Sequence, residues 1–455
     1  MQDATKPSRN PVVTTWATGS TGSCSWLDEL LTVHQGIQTE SSTRETAPVS
    51  EAFARSGRTG AVNGVESAHA GLREHSELVT HIATGRASSK TDLARLTGLS
   101  RTTVGKRLDA LTRRGLLSTH LGDSTGGRPA VELSVNPAAG VVAAIDIGAA
   151  HCRVGVLDLG VRLLDSGYVD ITPEAGYEAA MAGILATLEE LLTGVDRRWS
   201  DVRAICIGVP GPVDTDRAVP IRPVKLPGWE SFRPQDVFSP MCDAPVLVDN
   251  DANLMALGEY RSRADAVDDM LFVKFGSALG CGIISNGRVH RGANGIAGEI
   301  AHVRLRGTDY GDQLCTSCGN PGCLRAIVNG NAIAARLAAE GLPVETKHDV
   351  IRLAQQGEPR VLRAVREAGE RLGEVLAIVV CFHNPELIVI GGSFAALEED
   401  LLAGVRSVVY ERALAQATHR IRIETTTLNA DLGLLGGGHL AVEHALSPAG
   451  LATWL

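Results

Sequence analysis

Ala143-Ala-Ile-Asp146-Ile-Gly148-Ala-Ala-His151-Cys-Arg-Val-Gly-Val156 reads as a strand ending on an aspartate, a tight turn at Gly148 and a second strand. From Val141 onward the chain repeats apolar strand, turn and long helix, the alternation of an α/β domain. At 455 residues it is too long for one hydrophobic core, so two successive α/β lobes are expected over 138–455, with further material before them. Fifty glycines against 4% aromatic residues favour tight backbone turns around a ligand over an aromatic binding face. The longest apolar run, residues 375–382, is too short to span a bilayer, so no membrane partner is expected.

Upstream of this domain, residues 72–117 hold three helical patterns stopped at Gly85, Gly98 and Gly115. Residues 116–121 and 130–135 read as two strands around a glycine-rich tip at 122–129, and Asn136-Pro137 closes the module. Ser89 with Asp92 forms a start resembling a capping box, Gly98 supplies a turn, and Ser100 caps the next helix. Leu93, Leu96, Val104, Leu108 and Leu111 are spaced to bury one face. That leaves Arg101, Thr102, Thr103 and Lys106 outward at the start of the second helix, where a helix-turn-helix meets base edges in the major groove. Arg107, Arg113 and Arg114 are placed for phosphates, and Arg128 at the tip of the hairpin for a narrow minor groove. The plainer alternative is a helical bundle with solvated charges; turn, caps and hairpin together favour a winged helix-turn-helix over 69–137. Residues 1–68, rich in Ser, Thr, Gly and Ala, are expected to form a disordered extension.

Charge follows this division. Residues 86–128 carry nine Lys/Arg against three Asp, a net +6 in a chain whose total is −9, so the remainder carries −15. A compact basic module on an acidic body points to a localised phosphate-binding surface, hence to double-stranded DNA. No export signal opens the chain, so the cytoplasm is expected, where cysteines serve as thiols or metal ligands. Three of the nine crowd into Cys315-Thr-Ser-Cys318-Gly-Asn-Pro-Gly-Cys323, thirteen residues after His302. Three thiolates and one imidazole make a closed tetrahedral Zn2+ site, structural in kind because no coordination position stays open. Three reduced cysteines without metal are the alternative, and Cys315 is the ligand whose spacing fits least well.

Along the body stand Ile207-Gly-Val-Pro-Gly-Pro-Val-Asp214, Pro227-Gly-Trp229, Asn250-Asp-Ala-Asn253, a loop at 276–282, Gly298-Glu-Ile-Ala-His302, the cysteine cluster and Ile388-Val-Ile-Gly-Gly392. In this order and spacing they resemble the ROK family of repressors, open reading frames and kinases over 72 to about 445. The resemblance implies a two-lobed actin-like fold, of the ribonuclease H-like (ASKHA) kind, around a sugar cleft, usually as a homodimer or higher homo-oligomer. It makes Asp251 the base that takes a proton from a sugar hydroxyl if kinase activity survives, with Asn250, Glu299 and His302 as further sugar contacts. It also assigns the strand-end Asp146 to the approach of nucleotide phosphate and metal.

Departures from the family pattern matter as much. The first phosphate loop usually reads Asp-x-Gly-Gly-Thr, whereas Asp146 and Gly148 are followed here by two alanines and His151. In the second, Gly276, Ser277 and Gly280 remain, but Ala278 stands where a glycine is expected. Both loops therefore read as vestigial, and ATP is not expected as a cofactor. Lys225 and Arg325 replace an amide and a carboxylate of the sugar site, which leaves open a ligand with an acidic group. The reading is a bacterial regulator of carbohydrate metabolism, bound to the nucleoid at its operator and responsive to a sugar; an ATP-dependent sugar kinase with a DNA-binding module and a regulator with a non-sugar effector are the alternatives.

Overall fold

Three helices come first: α1 (Thr59–Ala83), α2 (Lys90–Thr97) and α3 (Arg101–Arg113). The computed structural model describes residues 59–121, 131–148, 151–172, 175–221, 228–265, 267–305, 313–428 and 431–454. Helix α1 begins inside the stretch expected to be disordered; no proline interrupts 59–83, and a long uninterrupted helix is the cooperative outcome. Ser89 accepts a hydrogen bond from the Asp92 N–H and donates its hydroxyl to the Asp92 carboxylate at 2.6 Å, while Ser100 accepts from the Thr103 N–H. Gly98 sits at φ 70°, the left-handed turn between α2 and α3 that a side chain would strain. Strands β1 (Leu117–Leu121) and β2 (Val131–Val135) pair antiparallel, and the Leu133 N–H reaches Ser88 O to tie the hairpin to the helices. Leu93, Val104, Leu108 and Leu111 are buried as their spacing requires. Leu96 is 42% exposed instead, because the two turns of α2 reach the core chiefly through Leu93.

The body contains two five-stranded sheets of the same topology. In the first, β3 (Val141–Ile147), β4 (His151–Asp158), β5 (Leu163–Asp170), β6 (Val202–Val209) and β9 (Val246–Asn250) lie in the order β5-β4-β3-β6-β9, with β7 (Val213–Asp214) and β8 (Val219–Pro220) as a short side hairpin. In the second, β10 (Met270–Phe275), β11 (Leu279–Ser285), β12 (Arg288–Val289), β13 (Leu387–Gly391) and β14 (Arg422–Thr425) run β12-β11-β10-β13-β14. Each lobe thus starts with an antiparallel meander and adds two parallel strands on the other side of its first strand. Alternation along β3 serves two cores: Val141, Ala143, Ile145 and Ile147 pack with helix α4 (Gly176–Gly194), while Val142 and Ala144 face the other way. The second sheet packs against helices α6 (Pro359–His383) and α7 (Glu398–Arg412) through residues such as Val365, Leu372, Leu401 and Val405.

Helices α5 (Asp251–Ser262) and α8 (Leu432–Ala445) lie in close backbone contact; a Cβ on Gly436 would stand 1.8 Å from Leu254 O. Helix α8 also joins the basic module to the body. One apolar core runs from Leu78, Leu93, Leu108 and Leu116 through Ala441, Leu446 and Trp454 to Val142 and Ala204. The Ser76 hydroxyl donates to Leu446 O at 2.9 Å, and Arg114 donates to Trp454 O at 2.7 Å. Among the described residues no helix is long and apolar enough to cross a membrane.

Candidate functional site

Strand register brings the site together. Asp146 on β3 pairs with Gly208 on β6, and Gly208 with Asp249 on β9, so three adjacent strands end side by side and Asn250 and Asp251 follow at once. Asn250 is the N-cap of α5: its Oδ1 accepts from the N–H groups of Ala252 and Asn253, and its Nδ2 donates to Gly211 O at 2.9 Å. Asp251 is the first helical residue and is 7% exposed. On the facing lobe, Lys274 on β10 pairs with Gly280 on β11 and Gly391 on β13. Its ammonium donates to Asp251 Oδ2 at 2.6 Å. Burial opposes that charge, but the carboxylates of Asp251 and Asp146 outweigh it and hold the ammonium above the ordinary lysine range. Burial pushes the Asp146 carboxyl upward, against the pull of Lys274. Lys274 was missed in the sequence because a single lysine in an apolar strand carries no motif.

Both segments expected as phosphate loops make contacts through their described residues. The Gly148 N–H donates to His151 O at 2.8 Å, closing the first turn, whose Ala149 and Ala150 lie outside the described residues. In the second, Gly276 accepts from the Gly330 N–H, Ser277 is exposed, and Gly280 lets β11 approach α5, since a Cβ there would lie 3.1 Å from that of Ala252.

Residues 291–302 carry the remaining polar groups. Arg291 donates through Nε at 2.9 Å and through Nη2 at 2.5 Å to Asp249, which is 1% exposed, anchoring this segment beside Asn250. Glu299 Oε2 stands 3.9 Å from His302 Nε2, while His302 Nδ1 lies 3.7 Å from Cys315 Sγ. Cys318 and Cys323 sulfurs are 3.5 Å apart, and the four ligand atoms of His302, Cys315, Cys318 and Cys323 all fall within 4.8 Å of one another. Zinc bonds of about 2.0–2.3 Å imply ligand separations of about 3.5–3.8 Å across a tetrahedron, so the donor set fits the ion. Hydrogen bonding from the Asn320 N–H, ahead of contacts with the other ligands, lowers the Cys318 thiol to about 6, toward the thiolate that a metal binds. With Nδ1 toward the sulfurs, His302 turns Nε2 to Glu299, the orientation by which a carboxylate fixes a ligating imidazole. Arg325 is buried and donates to the Ser317 hydroxyl inside the cysteine loop, so it braces that loop. Lys225 lies outside the described residues.

On the basic module, Arg101, Thr102 and Lys106 are exposed, and Thr103 shares its hydroxyl with Ser100 at 2.9 Å. Arg107 and Arg114, expected at phosphates, have partners within the chain. Arg107 pairs with Glu74 of α1 at 2.8 Å, Arg114 holds the Trp454 carbonyl, and Arg113 bonds Asp109 O one turn back in α3. Arg128 lies outside the described residues.

Similar proteins include both a kinase and regulators. A glucokinase of Halalkalibacterium halodurans is 30% identical over 315 residues, 66% of this chain and 94% of that protein. A xylose repressor of Caldicellulosiruptor bescii is 26% identical over 79% of this chain and 92% of its own. The crystal structure of a ROK family transcriptional regulator, a homologue of the E. coli MLC protein, superposes with a TM-score of 0.71 over 85% of this chain and 99% of that one; at 23% identity this speaks to fold. Residues 142–444, which span both lobes and the cysteine cluster, match the ROK family, and the chain belongs to it.

Proposed function

We propose that this protein is a sequence-specific DNA-binding transcriptional regulator of carbohydrate metabolism, acting as a repressor that answers to a sugar or sugar derivative in the cleft. The observation that carries this reading is the single core that joins the basic helices to the first lobe through α8. That helix begins beside the cleft, where a Cβ on Gly433 would lie 2.4 Å from Asp146 Oδ2, and ends at Leu446 against Ser76 of α1. A ligand that moves the lobes therefore moves the DNA-binding element, and two half-sites are read only at a fixed separation. Residues 69–137 serve as a winged helix-turn-helix, with Arg101, Thr102 and Lys106 on base edges and phosphates. Residues 138–455 serve as the sensor, with Asn250, Asp251, Glu299 and His302 around the sugar.

Zinc held by His302, Cys315, Cys318 and Cys323 fixes the loop that carries Glu299. Bound there, it supplies rigidity, with no open position for chemistry. A homodimer is supported by a cluster of exposed apolar side chains at adjoining ends of α6 and α7, Ile378, Phe382, Tyr410 and Leu414, with Phe382 92% exposed. This is a surface of the kind that a second copy covers. The protein acts in the bacterial cytoplasm.

The test is operator binding by the full chain under titration with neutral and acidic monosaccharides. Release of the operator by a sugar is the expected result; indifference to every sugar favours a non-sugar effector. A second reading, a sugar kinase with a DNA-binding module, draws on Asp251 at the head of α5. Hexose-dependent ADP release that disappears in Asp251→Asn would establish it.

A further inference from the structure

Asp146 and Asp251 stand on either side of Gly208. A Cβ on Gly208 would lie 3.4 Å from Asp146 Oδ1 and 3.7 Å from the Asp251 Cα. Asp146 Oδ1 is buried and has no hydrogen-bond partner. A buried carboxylate oxygen without a partner is compatible with the fold only if a proton, a metal ion or an organic cation stands near it. The sugar kinases that this chain resembles bring nucleotide phosphate and metal to the strand-end aspartate, and their base needs an oxygen free to accept a proton. On Asp251 both oxygens are already engaged. Lys274 has its ammonium on Asp251 Oδ2 at 2.6 Å, and Asp251 Oδ1 accepts from the Ala252 N–H at 2.8 Å.

We infer that Lys274 is a built-in cation standing where a kinase's divalent metal works, which makes the cleft a site that binds a neutral polyol without metal or nucleotide. The lysine sits on a central strand whose pairing with Gly280 and Gly391 fixes its position. An ammonium has three N–H donors. One is on Asp251, and the other two have no partner among the described residues. Those two donors and the unpaired Asp146 oxygen are what a hydroxyl group, donor and acceptor at once, can satisfy. A phosphoryl group would instead face two carboxylates with only one cation between them. The inference rests on the cleft being a ligand site and is independent of the operator.

The test removes the ammonium and asks for the metal. Zinc-loaded full-length protein is titrated with Mn2+ and followed by electron paramagnetic resonance, in wild type, Lys274→Thr and Lys274→Thr combined with Asp146→Asn. Lys274→Thr is expected to bind one Mn2+ at least tenfold more tightly than wild type, and the added Asp146→Asn to abolish the gain. Should the threonine variant fail to fold by circular dichroism, Lys274→Gln carries the same comparison. Mn2+ binding no tighter than wild type, a gain that survives Asp146→Asn, or a wild-type chain that already holds Mn2+ through Asp146 would overturn the inference. Neither DNA nor sugar enters the titration, so a failure of the regulator reading leaves its outcome intact.

Discussion

Arg101 and Lys106 at the start of α3 end in solvent, without a hydrogen bond or ion pair among the described residues, whereas Lys274, Arg291 and Arg325 end on oxygen atoms of the chain itself. Both groups are cationic, and the difference lies in the partner. A cation satisfied inside the fold contributes to structure or shapes a pocket; an unsatisfied one on a rigid helix is available to phosphates and base edges. The division even cuts through α3, where Lys106 is exposed and its neighbour Arg107 is paired with Glu74.

The largest effect is expected where the interior depends on an ion. Cys323→Ser should reduce bound zinc from one per chain to near zero by elemental analysis. It should also lower Tm by about 5 °C, in keeping with about 4 kcal/mol for a lost structural metal in a chain of this size. Unchanged Tm with the metal gone would move the cysteine cluster out of the set of groups that hold the fold.

The clustering of His302, Cys315, Cys318 and Cys323 was legible in the sequence, because the three cysteines stand within nine residues and such spacing has a chemical meaning of its own. The same holds for Ser89, Gly98 and Ser100, whose roles depend on neighbours two or three residues away. Lys274 and Arg107 were not legible in this way. Their partners lie 23 and 33 residues distant, and only the strand register or the packing of α1 on α3 brings them together. A helix N-cap is expected from the sequence at Asp251 as the alternative to a base; the cap is Asn250, one residue earlier, because the helix already starts at Asp251.

Next in size is the surface side of the comparison. Arg101→Ala and Lys106→Ala should each weaken specific operator binding by about 5- to 150-fold, the range for a lost base contact of about 1–3 kcal/mol. If one of them touches phosphate instead, the salt dependence falls by about one unit of slope. Tm should stay within about 1 °C in both, since neither side chain has a partner to lose. A fall in Tm would place the residue with the interior group.

A smaller, interior effect should appear on acidification. Burial, and after it the charge of Arg261, lowers His439 on α8 from 6.5 to about 4. The folded state therefore favours the neutral ring. Its contribution is complete above pH 6.5 and is lost as pH falls toward about 4, because the unfolded chain takes up the proton first. Denaturant unfolding should show stability falling by up to about 1.4 kcal/mol per pH unit from this group within that window. His439→Gln should flatten the slope. His75, His151 and His444 shift in the same direction through burial, so a remainder persists; a slope that His439→Gln leaves untouched would refute the assignment.

The smallest expected change tests the comparison most directly, because it concerns two adjacent residues of one helix. Arg107 Nε and Nη2 reach Glu74 Oε2 at 3.0 and 2.8 Å, with both side chains about one-third exposed. Partial exposure screens such a pair, so Arg107→Met should cost about 0.5–1 kcal/mol of stability. Methionine keeps an aliphatic stem but not the guanidinium, which lies 3.2 Å from where a Cβ on Gly71 would stand. Operator affinity at fixed salt should change less than threefold, and Glu74→Gln in the same background should add little, since the pair is already broken. If Arg107→Met instead lowers operator affinity as far as Lys106→Ala and leaves unfolding unchanged, the Glu74 pair opens on DNA, and the boundary between the two groups of cations shifts by one residue along α3.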